Sequence, residues 1–157
     1  MNAESLVRTD GKFLTFALGE EEYGFEILKV REIFGLTSIT PIPRTPMHIK
    51  GVINLRGQVI PVLDLRVKFG MMEVESTDQT CIIVVETELE GKIVSTGIIV
   101  DKVSEVQNIS SEDVDPAPEF GSMVETEYIL GIGKINGTVK ILLDIDKILD
   151  INELNMM

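Results

Sequence analysis

The chain has 157 residues, of which 14 are basic and 26 acidic, so its formal net charge at pH 7 is 14 − 26 = −12. This charge repels phosphate backbones, and a chain with 5% aromatic residues and no tryptophan offers few platforms for stacking bases, which argues against nucleic-acid binding. One cysteine allows neither an internal disulfide nor a cysteine-based zinc site, and no apolar run is long enough for an export signal or a membrane span, which predicts a soluble cytoplasmic protein.

Short strands dominate the first part of the predicted secondary structure. An apolar run at 13–18 and an alternating pattern at 23–27 predict two strands separated by a turn. Apolar residues then recur at helical spacing, which indicates a short helix or helical turn, at Ile27, Val30, Ile33 and Phe34. Three prolines within 38–46 predict an extended loop or edge segment.

Hairpins are typical of the remaining chain. Residues 52–65 predict a hairpin that turns at Arg56-Gly57, and Pro61 predicts an edge strand or a bulge, because proline cannot donate to a ladder. Further predicted elements are strands at 80–86 and 94–100, a capped helical turn at 110–113, a hairpin around Asn136-Gly137 and a short helix at 147–149.

Two blocks of sequence recur in the same order. Residues 51–65 match 131–145 at an offset of 80, and residues 24–33 match 97–106 at an offset of 73. An insertion within the acidic, proline-containing stretch 110–120 explains the seven-residue difference. Two ordered matches indicate a tandem duplication of one small β unit. Each unit alone would bury little surface, so we expect the two to pack together and to leave a groove at their seam.

Candidate catalytic groups are isolated in this sequence. Asp64 and Asp144 are repeat equivalents, which favours a structural role, such as an aspartate that binds turn amides at a strand end. His48 has the character of a surface histidine, and Cys81 begins an apolar strand and is expected to be a buried, inert thiol. The acidic run 112–115 is expected to be a solvated loop. We therefore predict no catalytic residue, no metal site and no cofactor.

The charge is unevenly distributed along the chain. Residues 1–78 carry 9 basic and 11 acidic side chains, a net of −2, whereas residues 79–157 carry 5 and 15, a net of −10. Residues 44–68 carry five basic side chains and one acid, a net of +4. This basic segment is either ordinary surface charge or a docking patch for an acidic partner.

The segment 51–66, GVINLRGQVIPVLDLR, resembles the signature of the CheW family of bacterial chemotaxis coupling proteins. Four other segments support the resemblance, at 23–33, 97–103, 129–134 and 141–146. The resemblance covers about 12–150 and implies an all-β fold of two interleaved five-stranded SH3-like or OB-like barrels with short helical segments. On this basis we place the first barrel at 12–75, with its N-terminal strand open to exchange, the second barrel at 76–150, and tails at 1–11 and 151–157.

The resemblance implies an adaptor and not an enzyme. Proteins of this family join the cytoplasmic tips of methyl-accepting chemotaxis receptors to the regulatory domain of the CheA histidine kinase. The expected location is cytoplasmic, with recruitment to membrane receptor arrays and no direct membrane insertion. No cofactor is implied.

Site residues follow from the resemblance by position. A receptor-binding groove between the barrels is expected at Leu14, Ile27, Val30, Ile33 and Val103, although these could instead be core residues. A kinase-binding surface is expected at Ile39, Thr40, Ile42, Gly51, Arg56 and Gly57. For Arg56 the alternative is a structural arginine that bonds loop carbonyls, and Glu32 is a contact residue of uncertain partner.

Three alternative functions remain open at this point. A fragment of a larger signalling protein, such as the CheA regulatory domain or a CheV-type adaptor, would have the same fold, but 157 residues from Met1 leave little room for a receiver or kinase domain. An OB-like ligand or nucleic-acid binder would need aromatic platforms and a basic groove. A small hydrolase would need partners for the isolated His48 and Cys81.

Overall fold

The structure is a computed structural model that describes residues 11–117 and 126–149. Strands within these residues are β1 (Gly11–Leu18), β2 (Glu21–Glu26), β3 (Val30–Gly35), β4 (Ile49–Leu55), β5 (Gln58–Asp64), β6 (Cys81–Leu89), β7 (Lys92–Val100), β8 (Lys102–Ile109), β9 (Val114–Asp115), β10 (Ile129–Ile135) and β11 (Thr138–Leu143). Two short helices are α1 (Leu65–Lys68) and α2 (Ile145–Ile148), and 3₁₀ turns occur at Ile27–Lys29, Ser111–Asp113 and Thr126–Tyr128.

The strands form two sheets that each draw on both parts of the sequence. The six-stranded sheet has the order β8-β1-β2-β11-β10-β9, and the five-stranded sheet has the order β3-β6-β7-β5-β4. The expected all-β fold with two interleaved units is therefore confirmed. The sixth strand, β9, has only two residues and pairs with β10 at Ile132 and Gly133. Division of the chain into units at residues 75 and 76 stays a prediction, because strand pairing does not show which segments fold independently.

The duplication is visible in the strand register. A bulge in the β4–β5 hairpin lies between Ile49 and Gly51, and the β10–β11 hairpin has its bulge between Ile129 and Gly131, at the same offset of 80. Both hairpins also add a parallel neighbour in the same way. Val62 of β5 pairs with Gly97 of β7, while the equivalent Leu142 of β11 pairs with Gly24 of β2.

In the described part of the chain, buried apolar side chains form three clusters. The largest, here called the seam core, draws on both sheets and includes Leu14, Phe16, Phe25, Ile83, Val85, Ile98 and Leu143. Ile53, Ile60, Val62, Ile82 and Val84 fill the opposite face of the five-stranded sheet, and Phe13, Ile109, Val114 and Leu142 fill that of the six-stranded sheet. Because the largest cluster is shared, neither sheet can bury its apolar face without the other.

The helical spacing that follows β2 arises mainly from a strand and not from a helix. Only Ile27–Lys29 form a 3₁₀ turn, and β3 begins at Val30. A register shift between Val30 and Glu32 places one extra residue in β3 opposite β6. Val30 and Ile33 are therefore three residues apart and still share one face, because a bulge converts the two-residue period of a strand into three.

Pro61 lies in an internal strand, so its predicted place at an edge or bulge is wrong. It pairs with Val52 of β4 without a register shift. On its other side β5 lies against β7, but that parallel ladder begins only at Val62. The proline is accommodated because it lies just before the point where the second neighbour needs a backbone donor.

Candidate partner-binding surfaces

Apolar side chains line the two edge strands that flank the seam core. Val30 on β3 and its repeat equivalent Val103 on β8 are half-buried and pack against the seam core. Ile33 and its equivalent Val106 point to the same face, because their partners Ile83 and Leu14 belong to that core. Ile33 is 41% exposed and Val106 49% exposed, so each of the two edge strands carries partly open apolar side chains. These four residues are together called the seam rim.

Sequence reasoning missed Val106 as a member of this surface. The signal was available, since Val106 lies 73 residues after Ile33 within the matched blocks. β8 has a bulge opposite Leu14 to Phe16, as β3 has opposite β6. Thr15 of β1 lies opposite the β8 bulge, where its hydroxyl donates to Glu105 O at 2.8 Å and accepts from the Glu105 amide at 3.3 Å.

The other two predicted groove residues differ in accessibility. Leu14 is only 2% exposed and belongs to the seam core, which agrees with the core alternative for this residue. Ile27 is half-buried and packs against the same cluster from the 3₁₀ turn before β3. Leu14 can therefore support the rim from below, whereas Ile27 lies at its margin.

Four of the six predicted kinase-binding residues lie along the β4 edge. Thr40 forms a two-way backbone bridge with Val52, with both N···O distances 2.9 Å. Gly51 is buried beneath this bridge at φ 140°, and a Cβ there would lie 2.0 Å from Thr40 O. Ile39 packs against the core of the five-stranded sheet, while Ile42 O accepts a hydrogen bond from Thr45 Oγ1 at 3.1 Å. Only glycine fits position 51, because a side chain there would displace the proline-containing segment.

The remaining two form the β4–β5 turn. Arg56 and Gly57 have φ values of 51° and 88°, which match the 50° and 79° of their equivalents Asn136 and Gly137. Positive φ at both central residues defines a type I′ turn, a geometry that favours asparagine over arginine at the first position. Asn54 supports the turn, since its Oδ1 accepts the Gly57 amide at 2.8 Å.

Arg56 is paired with Glu32, which gives that residue a partner inside the chain. Arg56 Nη2 lies 2.5 and 2.7 Å from the two carboxylate oxygens of Glu32. The side chain of Arg56 is 67% exposed and that of Glu32 is 24% exposed. Arg56 therefore contacts a carboxylate on β3, and the pair joins the β4–β5 turn to the strand that carries Val30 and Ile33.

Most of the basic side chains in 44–68 are engaged by neighbours. The pairs are Lys50 Nζ with Glu73 at 2.8 Å, Arg56 with Glu32 at 2.5 Å, Arg66 Nη1 with Asp101 at 2.7 Å, and Lys68 Nζ above the Tyr128 ring at 5.7 Å. These contacts locally neutralise much of the +4 that the sequence shows. They favour the interpretation of ordinary surface charge over a free docking patch.

Asp64 and Asp144 have the structural role that their repeat equivalence predicts. Asp64 caps α1, where its carboxylate accepts the Arg66 amide at 2.9 Å, and Asp144 caps α2, where its carboxylate accepts the Asp146 amide at 3.1 Å. Burial raises the pKa of both carboxyl groups above the ordinary aspartate value. Their side chains begin helices in two separate hairpins and do not form a catalytic pair.

Other sites for chemistry are weakly developed. A cleft of about 600 Å³ beside α1 is lined by apolar residues together with the paired Lys50, Arg66 and Asp101. Across 11–117 and 126–149 no three histidine, cysteine or acidic side chains meet in a metal-binding group. Cys81 is partly accessible and donates to Gln79 O at 3.1 Å. None of the helices in these ranges is both long and apolar enough to cross a bilayer.

Comparison with known proteins places this architecture in a family. The model of the CheW-like domain matches residues 12–153. The chain is 45% identical to the chemotaxis protein CheW of Klebsiella aerogenes over 93% of this chain and 86% of that protein. It is 34% identical to the chemotaxis protein CheW of Rhizobium meliloti over 93% and 92% of the two chains.

A solved structure agrees with these sequence matches. The crystal structure of the scaffolding protein TtCheW from Thermoanaerobacter tengcongensis superposes with a TM-score of 0.80 at 36% identity, covering 92% of this chain and 90% of that one. The two similar β units that share a core therefore have the fold of a chemotaxis scaffold family. The chain belongs to the CheW-like family and is an adaptor of bacterial chemotaxis.

Proposed function

We propose that this adaptor couples the cytoplasmic tips of chemoreceptors to the regulatory domain of the CheA histidine kinase, in arrays at the membrane. The observation that carries the proposal is a pair of distinct surfaces on opposite edges of the five-stranded sheet. The seam rim includes the edge strand β3, and the proline-containing segment lies on the edge strand β4. An adaptor needs two such surfaces, because both partners must be bound at once.

The seam rim is suited to an apolar helix. The bulges in β3 and β8 set Val30 with Ile33 and Val103 with Val106, giving two matched pairs of side chains around one core. An amphipathic helix presents anchors at three- and four-residue spacing and would bury them between such pairs. Half-buried and exposed apolar residues that remain uncovered in the chain support this use of the surface.

The β4 edge is suited to a folded protein partner. Ile39, Thr40 and Ile42 form an extended segment fixed by the backbone bridge to Val52, and the Arg56-Gly57 turn projects a mostly exposed guanidinium. A rigid segment loses little conformational entropy on binding, and an arginine at a rim offers directed hydrogen bonds. We assign this surface to the kinase regulatory domain.

The pair between Arg56 and Glu32 connects the two proposed surfaces. Glu32 lies on β3 between Val30 and Ile33, and Arg56 lies at the β4–β5 turn. A receptor helix that shifts β3 would change the position of the Glu32 carboxylate. Coupling of receptor to kinase then requires only that the two signalling states differ in these contacts.

Substitution of Val103 tests the assignment of the two surfaces. Val103→Asp places a charge in the apolar rim, and we expect at least about ten-fold weaker binding of a receptor-tip fragment by calorimetry. Binding of the kinase regulatory domain should stay within about two-fold of the original value, because β4 is untouched. Asn108→Asp, which adds the same charge at an exposed position of β8, is the control and should affect neither partner.

Equal loss of both partners in Val103→Asp, with an unchanged circular dichroism spectrum, would contradict separate surfaces. Unchanged receptor binding would contradict the rim as the receptor site.

A further inference from the structure

Within residues 11–117 and 126–149 the chain passes twice from one sheet to the other, and an ion pair lies at each passage. The first crossover is the 3₁₀ turn Ile27–Lys29, which leads from β2 to β3. The second is the single residue Asp101, between the end of β7 and the start of β8. Each crossover directly precedes a strand of the seam rim.

Asp101 is held by three hydrogen bonds. Its Oδ2 accepts the Gly19 amide at 2.7 Å and lies 2.7 Å from Arg66 Nη1. Its own amide donates to Ala17 O at 3.2 Å. Arg66 belongs to α1, at the end of a strand in the five-stranded sheet, while Gly19 and Ala17 belong to the β1–β2 hairpin of the six-stranded sheet. The carboxylate therefore joins the two sheets at the crossover.

The first crossover has a related but weaker contact. Lys29 Nζ lies 3.0 Å from Asp146 Oδ2 in α2. Asp146 is the repeat equivalent of Arg66 at the offset of 80, so both pairs join a crossover to the helix after a hairpin, with the charges exchanged. Lys29 and Asp146 are 32% and 42% exposed, whereas Arg66 and Asp101 are 13% and 28% exposed.

The difference in burial predicts a difference in strength. Screening by water and salt weakens an exposed pair, while a half-buried pair with several hydrogen bonds is held more firmly. Arg66 gains a further constraint because its Nε donates to Met72 O at 3.0 Å. The β8 side of the rim is thus fixed more rigidly than the β3 side.

We propose that Asp101 and Arg66 are positioning residues for receptor binding, which hold the β8 side of the rim at a set distance from the β3 side. This inference rests on the proposed use of the seam rim as a receptor site. Val103 follows Asp101 by only two residues. Conformational freedom of the backbone at Asp101 would therefore also change the position of Val103. A helix that must contact both rim strands binds best when their separation is set before it arrives.

Distance measurements between the sheets test this role without any partner. Spin labels at Gly35→Cys and Asn108→Cys, repeat equivalents on β3 and β8, report the separation of the rim strands in a Cys81→Ser background. A Cβ at Gly35 meets nothing within 4 Å, and Asn108 is exposed, so both sites accept a label. We expect Asp101→Asn and Arg66→Gln to broaden the distance distribution, and the double variant to broaden it no further.

Binding measurements complete the test. Asp101→Asn should weaken binding of the receptor-tip fragment about five-fold, in line with typical coupling through positioning residues, and should leave kinase-domain binding unchanged. Asp146→Asn, which breaks the exposed pair, is the matched control and should have a smaller effect on distance and affinity. Arg66→Lys keeps the charge opposite Asp101 and should restore a narrow distribution.

Distances and affinity that remain unchanged in Asp101→Asn would overturn the positioning role, as would an effect of Asp146→Asn that equals it. Broadening in Arg66→Lys as large as in Arg66→Gln would also overturn it. Measurements on the unsubstituted protein distinguish failure of this inference from failure of the proposed function. If the unsubstituted protein fails to bind the receptor tip, the proposed function is wrong. The spin-label distances would still test whether Asp101 and Arg66 position the rim strands.

Discussion

Arg56 has a backbone conformation that suits its repeat equivalent better. The first position of a type I′ turn needs positive φ, and asparagine adopts it at lower cost than a long side chain. Asn136 has this place in the second hairpin, whereas Arg56 has it in the first, at nearly the same φ. An arginine at such a position is costlier for the turn than asparagine, and this favours a use for its side chain beyond turn formation.

Replacement by the equivalent residue separates these two roles. In Arg56→Asn we expect the free energy of unfolding to stay within about 1 kcal/mol, because the turn is preserved and only an exposed ion pair is lost. Kinase-domain binding should fall several-fold, because the guanidinium is absent. Urea denaturation and calorimetry measure the two quantities, with Asn136→Ala as a turn control. A loss of stability above about 2 kcal/mol with unchanged binding would show Arg56 to be structural.

At this scale, local chemistry was readable from the sequence and long-range pairing was not. The equivalence of Asp64 and Asp144 correctly predicted capping aspartates, since a cap involves an amide two residues away. The contact of Arg66 with Asp101 spans 35 residues and depends on strand exchange, which no local pattern contains.

Among the elements, β11 differs from its equivalent in one buried pair. Lys140 is 9% exposed and is paired with Glu22 of the parallel neighbour β2. Their equivalents in the five-stranded sheet are Ile60, which is a core residue, and Ser95. One unit thus has an ion pair where the other has an apolar side chain. Removing both charges of a buried pair often costs little stability, whereas removing only one is strongly destabilising.

The equivalent residues provide a double substitution. Glu22→Ser alone should lower the free energy of unfolding by roughly 2 kcal/mol, because it leaves a buried ammonium unpaired. Glu22→Ser with Lys140→Ile should recover most of that loss. Asp115→Ser, which breaks the exposed pair with Lys134, is the control and should cost less than about 1 kcal/mol in the same denaturation experiment. If the double variant had a lower free energy of unfolding than Glu22→Ser alone, the second unit could not accommodate an apolar side chain at position 140.

The elements also show where periodicity misleads. Hairpins with a clear turn signal, such as 52–65 and the one at Asn136-Gly137, were predicted as the structure has them. β3 was read as partly helical, because its bulge places Val30 and Ile33 three residues apart on one face. Apolar spacing shows which residues lie on the same face. A bulged strand and a helix can both place residues three apart on one face, so the spacing does not distinguish them.

For the whole molecule, the internal repeat was the main basis for predicting two similar β units that pack together. The two offsets, 73 and 80, correspond to two blocks within each unit. The first block forms the strands on either side of a crossover, and the second forms a hairpin followed by a helix. The offset of 73 relates Val30 to Val103 and Ile33 to Val106. The repeat does not state which hairpin joins which sheet, because exchanged and unexchanged arrangements bury the same residues.

Under the proposed function, the receptor and the kinase use different edge strands of one sheet, β3 and β4, so we expect them to bind without competition. Mixing the protein with the CheA regulatory domain and a receptor-tip fragment, and measuring mass by size-exclusion chromatography with light scattering, examines this directly. We expect one species whose mass includes all three components, as separate sites require. Two binary complexes that replace each other as one partner is titrated against the other would contradict it.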